Sequence, residues 1–375
     1  MSGWRDNGWT GGQYSLWRVL LSVLVLALSI RQLANSGGDI STLALAATAL
    51  LLSIPLLSGW FDGPAAALLA PVTAGLVVLD SDLPASLWPL IAALLLHALA
   101  PAAPFGSAMS RGRVDPDGGW RLPGGLYLGG WMVLLVATVL TAFDPALDGS
   151  SWTSLAARGG VVVTTLLAAS PRTRHLAWLL AGLTWVAVIL AGTPLWWLVG
   201  LVPVWFLAAD PGWIPAGNHL EPKGTGAEDG AKDGTSSAGA WLFYDGGCGL
   251  CHRCVRLVLA EDRREDPMRL APLGGTAFTE AIEAEVREGL PESIVVVTPA
   301  GDVLCRSAAV FEIARLLGGW WRLLSAASRA VPRPLIDVGY RLVAAIRFRI
   351  FGRTSAACPL LPPELRERFD LRYDE

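Results

Sequence analysis

Lysine is almost missing from this chain: Lys223 and Lys232 are the only two in 375 residues, and every other base is arginine. Charge of either sign is scarce, at 16% of residues, where soluble domains carry about 25%. The net charge of −3 leaves no basic footprint, so no nucleic-acid partner is expected. No cysteine precedes Cys248. The five present, Cys248, Cys251, Cys254, Cys305 and Cys358, are an odd number, which argues against a closed disulfide framework.

What fills the chain instead is apolar sequence, at 53% of residues and a mean hydropathy of +0.47. It is concentrated between Leu16 and Asp210. A membrane helix needs about 20 mostly apolar residues. Candidate spans fall at 16–34, 41–59, 64–80, 86–103, 124–143, 153–170, 176–192 and 194–209. The first run lacks a small-x-small cleavage site and more runs follow it, so it is expected to be a span and not a cleaved leader. So many nearly uncharged runs are hard to bury in water. The expectation is an integral membrane protein in contact with lipid.

Arginine placement suggests an orientation. Arg111, Arg113 and Arg121 lie between spans four and five, and Arg172 and Arg174 between six and seven. Asp80 with Asp82, and Asp144 with Asp148, occupy alternate connectors. Basic loops favour the cytoplasmic side, so eight spans would place both termini in the cytoplasm. Arg31 is an exception, and parity changes if the segment holding Arg158 does not cross. His97 and Arg158 are the ionisable residues inside spans and are functional suspects for that reason.

The organisation read from this is a membrane domain over 1–215, a linker over 216–240 and a soluble domain over 241–375. The linker is rich in glycine and charge and cannot bury a core. In the last domain, Trp241–Tyr244 reads as a strand and 250–260 as a helix. A short strand follows at 268–271 and an amphipathic helix at 277–288. Strands at 294–298 and 303–306 flank a turn, a hairpin pattern. A helix with Ser307 as N-cap runs over 307–317, and helical sequence continues to about Phe351. The order β-α-β-α-β-β-α is that of a thioredoxin-like sheet.

The chemistry lies in Trp241-Leu-Phe-Tyr244-Asp245-Gly246-Gly-Cys248-Gly-Leu-Cys251-His252. Two cysteines three apart in a first helical turn bring their sulfurs within bonding reach. Free N–H groups at a helix N-terminus favour a thiolate at Cys248, the expected nucleophile. Cys251, one turn further in, would resolve the mixed disulfide. Asp245 could cap the helix, take a proton from the resolving thiol, or simply shape the turn. Cys254 and Cys305 read as small packing residues.

Other readings use the same residues. Cys248-Gly-Leu-Cys251-His252 matches the c-type haem attachment pattern. Cys248, Cys251 and Cys254 with Cys358 suggest iron–sulfur ligands, although the fourth lacks the expected close spacing. A zinc site would want a second Cys/His pair, and none is obvious. A non-catalytic membrane assembly factor is a further alternative.

Tyr244-Asp-Gly-Gly-Cys248-Gly-Leu-Cys251 resembles the signature of the DCC family of thiol-disulfide oxidoreductases, named for Asp-x-x-Cys-x-x-Cys. Pro291-Glu-Ser-Ile-Val-Val-Val, Gly301-Asp-Val and Arg306-Ser-Ala-Ala-Val resemble its hairpin and following helix. Tyr340-Arg341, Arg347-Phe-Arg349 and Phe351-Gly352 continue the likeness. It implies a thioredoxin-like fold and a dithiol redox role for Cys248 and Cys251 with no further cofactor. A thiol or disulfide substrate, expected to be a protein, follows from it. Pro291 stands where such folds place a cis-proline against the dithiol.

Trp120 to Pro215 is similar to the HTTM region, through Phe143-Asp-Pro, Asp148-Gly-Ser-Ser-Trp152 and Asp210-Pro-Gly-Trp213-Ile-Pro215. That region is related to vitamin K-dependent carboxylases. This half contains no lysine, so no catalytic lysine carries over.

One arginine-rich stretch has two readings. Arg329, Arg333, Arg341, Arg347, Arg349 and Arg353 alternate with Leu335, Ile336, Val343, Ile346, Phe348 and Phe351. It could lie on anionic lipid or form a packing helix with a solvated basic face.

Overall fold

A computed structural model describes residues 6–79, 87–143, 151–190, 197–217, 239–291, 293–353 and 362–372. The chain divides into two units, one of residues 1–111 and 119–213, the other of 112–118 and 214–375. Most of the expected linker, Cys358, and the acidic residues Asp80, Asp82, Asp144 and Asp148 lie outside the described residues.

The first unit holds one helix for each apolar run: α1 (Gly11–Asn35), α2 (Ile40–Ser58), α3 (Asp62–Leu79), α4 (Trp88–Ala98), α5 (Gly124–Ala142), α6 (Ser151–Ala168), α7 (Arg174–Leu190) and α8 (Trp197–Ala208). Among the described residues, α1, α2, α3 and α5 are long and apolar enough to cross a membrane. The apolar parts of the other four run 10–17 residues. Burial is distributed as lipid would require. Ser22, Ser29, Ala46, Ala49, Ser53 and Thr73 are buried between helices. Leu51, Ile54, Val78 and Leu190 point outward, the last two at 82% exposure. Small residues let helix backbones approach, and large apolar ones face the hydrocarbon.

The second unit is built on four strands, β1 (Trp241–Tyr244), β2 (Arg269–Pro272), β3 (Val295–Val297) and β4 (Val303–Cys305), in the order β2-β1-β3-β4. β1 pairs parallel with β2 and antiparallel with β3, and β3–β4 is the expected hairpin. Alternation buries both faces. Leu242, Tyr244, Leu270 and Val296 meet Val255, Val258, Ile313 and Leu316 on one side. Phe243, Ala271, Val295 and Val297 meet Ala277 and Ile282 on the other. The outer edge of β2 is closed by the C-terminal segment: Leu270 donates to the Arg368 carbonyl at 2.8 Å and accepts from Asp370 N–H at 2.9 Å. An open strand edge is thereby covered.

The helices are α9 (Gly249–Glu261), α10 (Thr276–Ala281), α11 (Ala284–Glu288), α12 (Arg306–Leu317), α13 (Gly319–Ser328), α14 (Arg333–Phe351) and α15 (Pro363–Arg366). Two expectations are corrected. The single helix over 277–288 is two short ones, because Ile282 turns extended and fills the second core. Ser307 is not an N-cap. Cys305 holds that position with no side-chain cap bond, and Ser307 Oγ donates instead to Asp337 Oδ1 at 2.5 Å, joining α12 to α14.

Candidate functional site

The dithiol sits at the β1–α9 junction. β1 ends at Tyr244, and Asp245 to Gly247 turn the chain so that Cys248 becomes the N-cap of α9. The turn is held by its own polar groups. Gly247 N–H donates to Asp245 Oδ1 at 2.8 Å, and Cys248 N–H donates to the Asp245 carbonyl at 3.2 Å. Asp245 is thus a turn residue, and its side chain does not cap α9. Its other oxygen, Oδ2, lies 3.6 Å from Arg347 Nη2 on α14. Gly246 contributes a carbonyl, 2.9 Å from His252 Nε2. His252 is therefore part of the turn's closure and is half-buried. The Tyr244 ring stands edge-on to the His252 ring.

Cys251, Val255, Val258 and Leu259 form the buried stripe of α9. The Cys248 and Cys251 thiols are free and lie beside one another. Burial, with Cys248 beside it, pushes the Cys251 thiol up to about 12. Burial alone raises Cys254 to about 11. Cys254 packs partly against the core, as expected, but also borders a cavity shared with Cys251. Cys305 packs against the second core.

Cys248, the expected nucleophile, is closed to solvent. It is 0% exposed. The end of α14 crosses it: Gly249 N–H donates to the Gly352 carbonyl at 3.2 Å, and Cys248 bridges Arg353 in antiparallel fashion. Arg253 on α9 lies 4.9 Å from the Phe351 ring centroid and Arg353 lies 4.8 Å from that of Phe348, cation–π contacts that pin this strap. Gly352 has φ 72° and ψ 179°, a conformation suited to glycine.

Cys251 is 9% exposed and opens on a cavity of about 390 Å³. Leu250, Ile294, Val310, Phe311, Ile336 and Val343 supply apolar wall. Asp245, Ser293, Tyr340 and Arg347 add polar groups. Tyr340 hydrogen-bonds with the Ser293 side chain and the Ile294 backbone, and burial raises its phenol pKa. Ser293 and Ile294 border the cavity, whereas Pro291 lies outside its lining. No cis peptide occurs among the described residues, so Pro291 does not present a cis-proline backbone. The sequence did not show the strap over Cys248. Ser293, Tyr340 and Gly352 stood in it only as points of resemblance, and Arg347 and Phe351 also as members of the arginine-rich stretch.

Among the described residues, no group of three or more His, Cys, Asp or Glu could hold a metal ion. The first unit carries a buried polar cluster of its own. His97 Nδ1 is 2.9 Å from the Tyr14 hydroxyl and its Nε2 is 3.6 Å from Asp62 Oδ2. Asp62 also pairs with Arg18 at 3.5 Å, and Arg18 donates to the Leu57 carbonyl at 2.8 Å, at the end of α2. The sequence had singled out His97 without these partners.

A family model for DCC1-like thiol-disulfide oxidoreductase matches residues 242–353, from β1 through the strap. The chain is also similar to the uncharacterized protein YuxK of Bacillus subtilis (strain 168), at 31% identity over 138 residues, covering 34% of this chain and 91% of YuxK. No solved structure matches. The chain belongs to the DCC1-like thiol-disulfide oxidoreductase family. That family supports a thiol-disulfide redox role with thiol or disulfide substrates. The family model matches only 242–353, and the HTTM likeness is not shown.

Proposed function

We propose that this protein is a membrane-anchored thiol-disulfide oxidoreductase in which Cys248 and Cys251 cycle between dithiol and disulfide. The observation that carries the reading is that the two thiols, both free, lie side by side at the start of α9, within the residues of the family match. Tyr244, Asp245 and Gly246 hold the turn; Asp245 borders the same cavity as Cys251, and the reading gives it proton exchange with that thiol. Pro291 leads into β3, and Ser293 and Ile294 before that strand border the cavity shared with Cys251. The redox group is the dithiol itself, so no separate cofactor is invoked.

The membrane region up to residue 215 would serve as the anchor and 216–240 as the tether to a redox domain at 241–375. The arginine-bearing connectors favour a cytoplasmic face for that domain. Thiol labelling with a membrane-impermeant maleimide, on sealed vesicles of known orientation, tests the side.

The function itself is tested with the full chain in detergent. Dithiothreitol-driven reduction of a low-molecular-weight disulfide should be accelerated by the wild type. It should return to the uncatalysed rate in both Cys248→Ser and Cys251→Ser. Unchanged acceleration in both variants would reject the dithiol as the active group.

A further inference from the structure

The cavity beside Cys251 has no part in the fold's closure. It is bounded by α9, the segment entering β3, α12 and α14, and the Cys251 thiol forms part of its wall. At about 390 Å³ it lies within the roughly 300–1,000 Å³ of small-molecule sites. Meanwhile the helix tip, where a protein disulfide would approach Cys248, is covered by Phe351–Arg353. The dithiol's opening in this structure is thus an apolar chamber, reached at Cys251.

We propose that the cavity is the binding site for a small, apolar thiol or disulfide, which exchanges with the protein through a mixed disulfide at Cys251. The inference rests on the dithiol reading above and names its substrate class and point of entry. The cysteine order is the reverse of that expected from the sequence.

The step balances as follows. In the reducing direction, Cys251 must first give up the proton that burial makes it hold, and its thiolate then attacks one sulfur of the bound disulfide. The substrate S–S bond breaks, and the first thiolate leaves with the proton Cys251 gave up. Cys248 sulfur then attacks Cys251 Sγ, forming the protein disulfide, and the second thiol leaves with the Cys248 proton. Two electrons and two protons pass from the cysteines to the substrate. The oxidising direction is the same path reversed, with a substrate thiolate opening the protein disulfide at Cys251.

Gly339 makes the idea testable. It lines the cavity from α14, and a Cβ there meets nothing within 4 Å. Gly339 is exposed at the cavity's edge, so larger side chains at this position would narrow its mouth without displacing backbone. The full chain in detergent is used, with Cys248→Ser so that an adduct on Cys251 cannot be passed on. It is treated with 4,4′-dithiodipyridine, a neutral aromatic disulfide, and separately with oxidised glutathione, which is larger and charged. Adducts on Cys251 are quantified by peptide mass mapping, and each rate is divided by that of a free model thiol.

The normalised rate with the aromatic probe should exceed that with glutathione by about tenfold or more, the scale of apolar pocket discrimination. Gly339→Ala and then Gly339→Leu should slow the aromatic probe progressively. Ala345→Leu, on the exposed face of α14, should not. Thermal melting of each variant confirms that the fold is kept. Equal normalised rates, or rates indifferent to bulk at Gly339, would overturn the inference and favour protein substrates. The dithiol reading fails separately, if the wild type shows no reversible oxidation of the pair in glutathione buffers.

Discussion

Gly249 and Gly352 lie in direct backbone contact, the N–H of the first donating to the carbonyl of the second at 3.2 Å. A Cβ on Gly249 would stand 2.2 Å from the Phe351 carbonyl oxygen. The glycine between the two cysteines' helix turn and the strap is what lets the strap lie over Cys248. Gly249→Ala is therefore expected to lift the strap and uncover Cys248. The measurement is iodoacetamide alkylation of Cys248 in the reduced full chain, followed by peptide mapping. The rate should rise by about tenfold or more, because thiol reactivity follows access. An unchanged rate would mean that the strap does not shield the thiol.

Asp262 holds the far end of α9 to the C-terminal segment. Its side chain is fully buried, accepts from Met268 N–H at 2.8 Å, and pairs with Arg264 and Arg368 at 2.8 and 3.1 Å. Asp262→Ala leaves two arginines without their carboxylate. Breaking such a buried pair costs about 3–5 kcal/mol. Denaturant unfolding of the C-terminal unit within the full chain, followed by limited proteolysis, should show that loss.

In the membrane half, Asp62 neutralises Arg18 beneath the end of α2 and meets His97 from α4. Asp62→Asn removes the charge and keeps the shape. The cost should approach about 3 kcal/mol, since a buried cation loses its partner. A fall in the unfolding midpoint in micelles checks it, and Arg31→Gln, near the end of α1, serves as the comparison.

The Cys251 thiol gives a pH signature. Its pKa is pushed up to about 12 in the fold, above the roughly 8.5 of a free thiol. Between those values the folded state holds a proton that the unfolded state has released. Stability therefore falls as pH rises through that window and is unaffected below it. Reduced wild type should lose more stability than reduced Cys251→Ser between pH 8 and pH 10. Parallel loss in the two would contradict the shift.

Local features were legible in the sequence: strand β1, the dithiol turn, the β3–β4 hairpin and one helix per apolar run. Each is written in neighbouring residues. What was missed is long-range. The helix expected over 277–288 breaks because Ile282 finds a place under Phe243 and Val295, and tertiary burial overrides local propensity. Cys248 was expected to be the nucleophile, and the strap that covers it comes from the far end of α14. Asp62 was not singled out in the sequence, because its partners Arg18 and His97 come from distant helices. The arginine-rich stretch proved divided: Arg347 turns inward to Asp245, while Leu335, Val338, Leu342 and Arg349 stay exposed.

The central claim is that Cys248 and Cys251 form a reversible redox pair. The most direct measurement equilibrates the full chain across glutathione ratios, alkylates it, and weighs it intact beside Cys248→Ser and Cys251→Ser. The account predicts a reversible loss of both thiol hydrogens in the wild type, with a single midpoint, absent from both variants. No change at any ratio, or a change retained in both variants, would contradict it.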